Sequence, residues 1–231
     1  VGRMGLRFSP LRRHLGGQRD LDRIGHAALR GLDRACLQYG IKGGLILCLA
    51  REFDADLNEI IVEKAIRYRD RGVIGIDLAG TEKNNVELDP ESVQRFADMF
   101  RRAREAGLGT TCHTGETPDT NADGVMAVVR HLKVDRIGHG IRSAYSEDAM
   151  KMLIDEDVTL EICPTSNLHT RAVADLDELK TVLRTFIDRG VKFTINTDAT
   201  YMLGTDLRRE VELLIAADIL TPKEVGACFA Q

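Results

Sequence analysis

Short apolar runs rich in β-branched residues alternate along the chain with longer stretches of helical period, the pattern of a parallel sheet with crossover helices. Seven runs read as strands: a weak one at Leu6 to Phe8, then Gly44 to Leu49, Val73 to Leu78, Gly109 to His113, Arg136 to His139, Val158 to Cys163 and Val191 to Asn196. The helices between them carry their own punctuation. Asp89-Pro90 sets an N-cap before a proline at the first helical position, Val93, Phe96, Ala97, Phe100 and Ala103 form an apolar face, and Gly107 supplies the stop. Leu57, Ile60, Ile61, Lys64, Ala65 and Tyr68 repeat the theme before Gly72, as do Leu176, Leu179, Val182, Leu183 and Phe186 before Gly190. Pro10 to Gln18, with Arg12, Arg13, His14 and Gly16-Gly17, is the loose stretch, either a solvated loop or a lid.

No domain-breaking linker interrupts these units, so residues 1–231 are expected to form one domain. Polar residues sit at the end of nearly every strand. That favours a TIM-type (β/α) barrel, with seven of its eight strands visible, over a doubly wound sheet, which concentrates such residues at one switch point. Composition narrows the field further. A formal charge of −4 implies no polyanionic partner, hence no nucleic acid. Five cysteines without a CxxC pair argue against a disulfide framework and for reduced, mostly buried thiols. No apolar run approaches the ~18 residues of a membrane span, and Val1-Gly2-Arg3-Met4 has none of the regions of a signal peptide, so a cytoplasmic location is expected. A start at Val suggests that the natural N-terminus lies upstream.

Candidate chemistry lies at the strand ends. In His113-Thr114-Gly115-Glu116, His113 stands on a last pleat and Glu116 on the turn beyond it, so an imidazole suited to zinc and a carboxyl group free to move protons face one cavity. A core histidine before a glycine turn is the plainer alternative. Arg136-Ile137-Gly138-His139-Gly140 ends another strand on a histidine between glycines that permit close backbone approach; as a dinucleotide loop it lacks the third glycine. Asn196-Thr197-Asp198 offers a carboxylate that either caps the next helix or ligates a metal. Gly80 and Glu82, and Ser166 and Asn167 after Cys163-Pro164-Thr165, add two more polar strand ends, for which loop hydrogen bonding is the ordinary use. In a barrel all of them converge on one face.

As a set, Arg7-Phe8-Ser9-Pro10, Asp77-Leu78-Ala79-Gly80-Thr81-Glu82, His113-Thr114-Gly115-Glu116, Arg136-Ile137-Gly138-His139-Gly140, Cys163-Pro164-Thr165-Ser166-Asn167 and Asn196-Thr197-Asp198 resemble the adenosine deaminase family of amidohydrolase-like zinc barrels, in the family's order and across essentially the whole chain. The resemblance implies that His113 and Asp198 are zinc ligands and that Glu116 shuttles a proton to the purine ring nitrogen beside the reacting carbon. It implies further that His139 orients and helps deprotonate the attacking water, and that Gly80 offers its backbone N–H to the base. The cofactor implied is zinc, and the partner a small purine nucleoside.

Three departures accompany the match. The family's first strand carries a His-x-His pair, absent among the six histidines here (14, 26, 113, 131, 139 and 169), so the first βα region is expected to be missing and the 231 residues alone to bind zinc weakly. Arg3-Met4-Gly5-Leu6 lacks the Tyr and acidic residue expected before Arg7. Ala199 stands where the family places a second Asp that contacts the purine. The function implied is hydrolytic deamination of adenosine or a related aminopurine nucleoside. The alternatives are a metal-dependent deaminase of another amino-heterocycle or nucleotide, which Ala199 favours, and a non-catalytic barrel, which the missing His-x-His favours.

Overall fold

In the computed structural model, which describes residues 3–230 apart from the Gln18 side chain, each expected apolar run is a strand. The strands are β1 (Arg3–Phe8), β2 (Lys42–Ala50), β3 (Val73–Ala79), β4 (Gly109–Thr114), β5 (Arg136–His139), β6 (Thr159–Ile162) and β7 (Phe193–Ile195). Val1 and Gly2, part of the start read for a signal sequence, lie outside the described residues. Strand order is chain order, and the pairings of β1 through β4 and of β5 through β7 are parallel. With helices in the crossovers, this is the (β/α) barrel class of fold. The chain divides into two compact units, Val1–Cys112 with His131–Val134, and His113–Arg130 with Asp135–Gln231.

The first unit holds β1, α1 (Gly17–Tyr39), β2, α2 (Ala55–Arg67), β3, α3 (Pro90–Glu105) and most of β4. Leu45, Leu49, Ile76 and Leu78 of the strands and Phe100 of α3 are wholly buried. Asp89 caps α3 as expected, accepting from the Ser92 N–H at 2.8 Å. Helix α1 was not among the expected helices and begins at Gly17, inside the stretch read as loose. Its apolar face carries Leu21, Leu29 and Leu32, buried, with many charged residues on the other positions. Asp22 ties it to α2 and the residue beyond, accepting from Lys64 Nζ at 2.8 Å and Tyr68 Oη at 2.7 Å. Burial works to raise the Asp22 carboxyl, but these two donors hold it below its usual range. The loose stretch is also anchored at its start: Leu11 is buried and Arg12 pairs with Glu52 at 2.6 Å.

Inside this unit Arg51 and Glu87 form a two-pronged ion pair, Nη2 to Oε1 at 2.7 Å and Nε to Oε2 at 3.1 Å, with both side chains fully buried. Burial opposes the Arg51 charge, yet Cys112, Glu87 and Glu82 around it raise its pKa overall. The guanidinium therefore stays charged at any working pH.

The second unit holds the end of β4, α4 (Asn121–Ala127), β5, α5 (Glu147–Asp155), β6, α6 (Pro164–His169), α7 (Leu176–Arg189), β7, α8 (Thr200–Leu203), α9 (Leu207–Ala216) and α10 (Pro222–Cys228). Ile137, Leu160, Ile162 and Phe186 are wholly buried. Helix α7 ends at Gly190 in the left-handed conformation (φ 78°), as the sequence indicates. Helix α10 opens with a capping box between Thr221 and Glu224, and Glu224 also accepts from Arg184 at 2.7 Å. The Thr221 N–H, Arg184 and the Thr221 hydroxyl pull the Glu224 carboxyl down from 4.5 to about 2.

A pKa depressed on folding contributes stability that is full above the ordinary value of 4.5 and is lost as pH falls towards about 2. Glu224→Gln should accordingly flatten the acid side of the stability–pH curve in that window and leave its neutral side sloped as before. Denaturant midpoints measured from neutral pH down through that window check this; an unchanged acid slope would contradict it.

No helix among the described residues is long and apolar enough to cross a membrane. The five cysteines are free thiols, four buried and Cys36 partly exposed.

Candidate active site

The candidate side chains His113, Glu116, His139 and Asp198 all belong to the second unit. Backbone bonds stitch the end of β4 to the segment after β5, Gly140 N to Thr114 O at 3.1 Å and Arg142 N to Gly115 O at 2.8 Å. Gly115 turns the chain with φ 64° immediately before Glu116. His139 (φ 62°) and Asp198 (φ 52°) are themselves left-handed, which costs a non-glycine residue on the order of 1 kcal/mol or more and occurs where surrounding contacts enforce it.

The rings of His113 and His139 lie 5.4 Å apart between centroids, tilted by 60°. A Cβ on Gly138 would stand 3.0 Å from His113 Cγ, so the missing side chain is what allows the imidazole to lie against β5. His139 is 2% exposed, and its Nε2 is 3.5 Å from Glu116 Oε2.

One short helix then reaches three of the four candidates. Ser166 Oγ donates to Asp198 Oδ2 at 2.7 Å, the Asn167 amide meets His139 Nδ1 at 2.9 Å, and Thr170 Oγ1, at the C-cap of α6, donates to Glu116 Oε1 at 2.8 Å. Ser166 and Asn167 are buried. They are more than polar residues of a loop, and Asp198 is not a helix cap: Ala199 occupies the N-cap of α8, without a side-chain capping bond. Sequence reasoning missed Thr170. The available signal was its place four residues after Ser166, which sets both on one side of a helix.

Gly80 and Glu82 belong to the first unit. Gly80 takes φ 107°, a conformation that strains any side chain, and a Cβ there would stand 2.3 Å from the Glu52 carboxylate. Glu52 accepts from the Thr81 N–H at 2.8 Å and pairs with Arg12. Burial raises its carboxyl, but the Thr81 and Glu52 N–H groups and Arg12 outweigh it and hold the group below its usual range. Glu82 is buried. Burial pushes the Cys48 and Cys112 thiols far up, which leaves both inert as nucleophiles.

An imidazole and a carboxylate, His113 and Asp198, suit zinc in kind. Among the described residues no group of three or more His, Cys, Asp or Glu could hold an ion together. These two donors would therefore supply half of a tetrahedral shell.

Imidazoles and carboxylates thus stand at or just beyond strand ends of a (β/α) barrel sheet. A sequence model of the adenosine deaminase family matches residues 4–227, and the chain belongs to that family. An adenosine deaminase of Clostridium botulinum (strain 657 / Type Ba4) is 32% identical over 209 residues, which cover 90% of this chain and 60% of that relative. The chain thus spans about three fifths of the length of such a relative. Among solved structures, the adenine deaminase of Arthrobacter aurescens superposes with a TM-score of 0.82 at 24% identity, covering 99% of this chain and 66% of that one. An amidohydrolase from Burkholderia ambifaria with bound Zn gives 0.73 at 24% identity, covering 93% and 57%. These structural likenesses bear out the fold.

Proposed function

We propose that the complete protein, in the cytoplasm, catalyses zinc-dependent hydrolytic deamination of adenosine or a related aminopurine nucleoside. The observation that carries this reading is Glu116 meeting His139 at 3.5 Å beside His113, in a chain of this family. His113 and Asp198 would hold the zinc together with further ligands. When bound, the metal supplies Lewis acidity that brings the pKa of a water towards ~7.

The chain's own residues account for the proton movements. Water oxygen adds to the amino-bearing ring carbon and gives one proton to the Glu116 carboxylate, which passes it to the adjacent ring nitrogen; the second water proton moves to the amino group, the carbon–nitrogen bond breaks and ammonia leaves. His139 holds the attacking oxygen in line, and Ser166 fixes one oxygen of Asp198. Gly80 offers its N–H to the base.

Ala199 favours a second reading, a different amino-heterocycle or a nucleotide. A methyl group neither donates nor accepts a hydrogen bond, and a lost buried hydrogen bond is worth about 1–3 kcal/mol, roughly ten- to a hundred-fold in discrimination. The complete protein should barely distinguish adenosine from its 7-deaza analogue, while Ala199→Asp should gain selectively on adenosine. Steady-state kinetics on adenosine, the deaza compound and the 5′-monophosphate decide it. Strong rejection of the deaza compound by the parent would contradict this account of Ala199, and turnover of the monophosphate alone would replace the nucleoside reading by the nucleotide one.

A further inference from the structure

Asn167 is wholly buried, and its side-chain amide has two neighbours of opposite demand. On one side is the Cys163 backbone N–H, 3.3 Å from Asn167 Oδ1. A backbone N–H can only donate, so the oxygen of the amide must face it and the amide cannot be turned over without setting donor against donor. The amide nitrogen is thereby fixed towards His139 Nδ1, at 2.9 Å. An amide nitrogen can only donate, so His139 Nδ1 must accept and carry no proton. Neutral imidazole then has its single proton on Nε2, the nitrogen that stands 3.5 Å from Glu116 Oε2. An imidazolium, with a proton on both nitrogens, would break the same bond.

We infer that Asn167 is a positioning residue that locks His139 in the neutral tautomer protonated on Nε2, making His139 a hydrogen-bond donor to the reacting centre and not an acceptor of the water's proton. The inference rests on the deaminase reading for its consequence but not for its test. It alters the role that family resemblance gives His139. With Nε2 already protonated, the proton released when water adds to the ring carbon goes to the Glu116 carboxylate, and from there to the ring nitrogen. His139 ends the step with the proton and the charge it began with. The bond from Thr170 leaves Glu116 Oε2 as the oxygen facing that centre.

The tautomer is read directly by nitrogen-15 NMR of the complete, zinc-loaded protein labelled at histidine, with His139 assigned by loss of its signals in His139→Gln. The expected spectrum at neutral pH has an unprotonated Nδ1 and a protonated Nε2. A metal-bound or unprotonated Nε2 would overturn the inference whatever the activity. Asn167→Asp keeps the shape, lets one oxygen go on accepting from Cys163, and presents an acceptor to His139. It should move the proton to Nδ1 and lower kcat by about 10²–10⁴-fold, as a reversed tautomer does in other histidine-assisted sites, with KM within about threefold. If Asn167→Asp fails to fold, the parental spectrum still decides; if it folds with the tautomer unchanged, Asn167 is not the lock. Absence of deaminase activity with the Nε2–H tautomer present would sink the functional reading and leave this one standing.

Discussion

Replacing Glu116 by Gln in the complete protein should lower kcat by about 10²–10⁴-fold while zinc content and fold stay as they are. The amide is nearly isosteric with the carboxylate, and its oxygen can still accept from Thr170, which lies 2.8 Å from Glu116 Oε1 in the native site. It can neither take a proton nor give one up at neutral pH, so binding survives and chemistry does not. Turnover with saturating adenosine, read alongside metal analysis and a thermal melt, separates these effects. A Gln variant working at the parental rate would assign the proton transfer to another group.

The largest stability effect is expected far from any candidate ligand, at Arg51. Its guanidinium and the Glu87 carboxylate have no exposed side-chain surface, and each satisfies the other through two hydrogen bonds. Taking one member away deprives the other of the counter-charge and the two hydrogen bonds of this pair, a loss of about 3–5 kcal/mol where such pairs are broken. Arg51→Met should therefore destabilise the protein by about that amount, whereas Arg51→Met combined with Glu87→Leu should recover much of it, because two apolar side chains take both charges of the pair out of the interior. Urea denaturation of the parent, the single and the double variant tests the pair. A single variant as costly as the double would place the cost in packing instead of charge.

Neither Arg51 nor Glu87 stood out in the sequence, and the reason is physical. They are thirty-six positions apart, and nothing local distinguishes a buried arginine from a solvated one. The strands were legible because burial on both faces of a parallel sheet demands apolar runs, as at Leu45 to Leu49 and at Ile76 and Leu78 on either side of the buried Asp77. Helix α3 was legible through Asp89, Pro90 and Gly107, whose backbone roles are local. Helix α1 was not. Its apolar positions Leu21, Ile24, Ala28, Leu29 and Leu32 do recur at helical spacing, but the helix opens on Gly16-Gly17 without a capping side chain, and that start read as loose chain.

The same contrast runs through the candidate site. His113, Glu116, His139 and Asp198 are marked by falling at or just beyond strand ends, the first three close to glycines, which a reading of the chain can find. The hydrogen bonds of Ser166, Asn167 and Thr170 cannot be found that way, because their partners lie 32, 28 and 54 positions distant. Gly138 is intermediate: it was visible as a glycine beside a histidine, but the ring it accommodates belongs to His113 and not to His139.

The most direct measurement is of the reaction itself. The complete protein, loaded with zinc, is incubated with adenosine in water enriched in heavy oxygen, and the purine product is weighed by mass spectrometry while ammonia is counted. Hydrolytic deamination predicts inosine carrying one heavy oxygen from solvent and one ammonia for each adenosine consumed. Unchanged adenosine from a folded, zinc-loaded protein, or a product without solvent oxygen, would contradict the account.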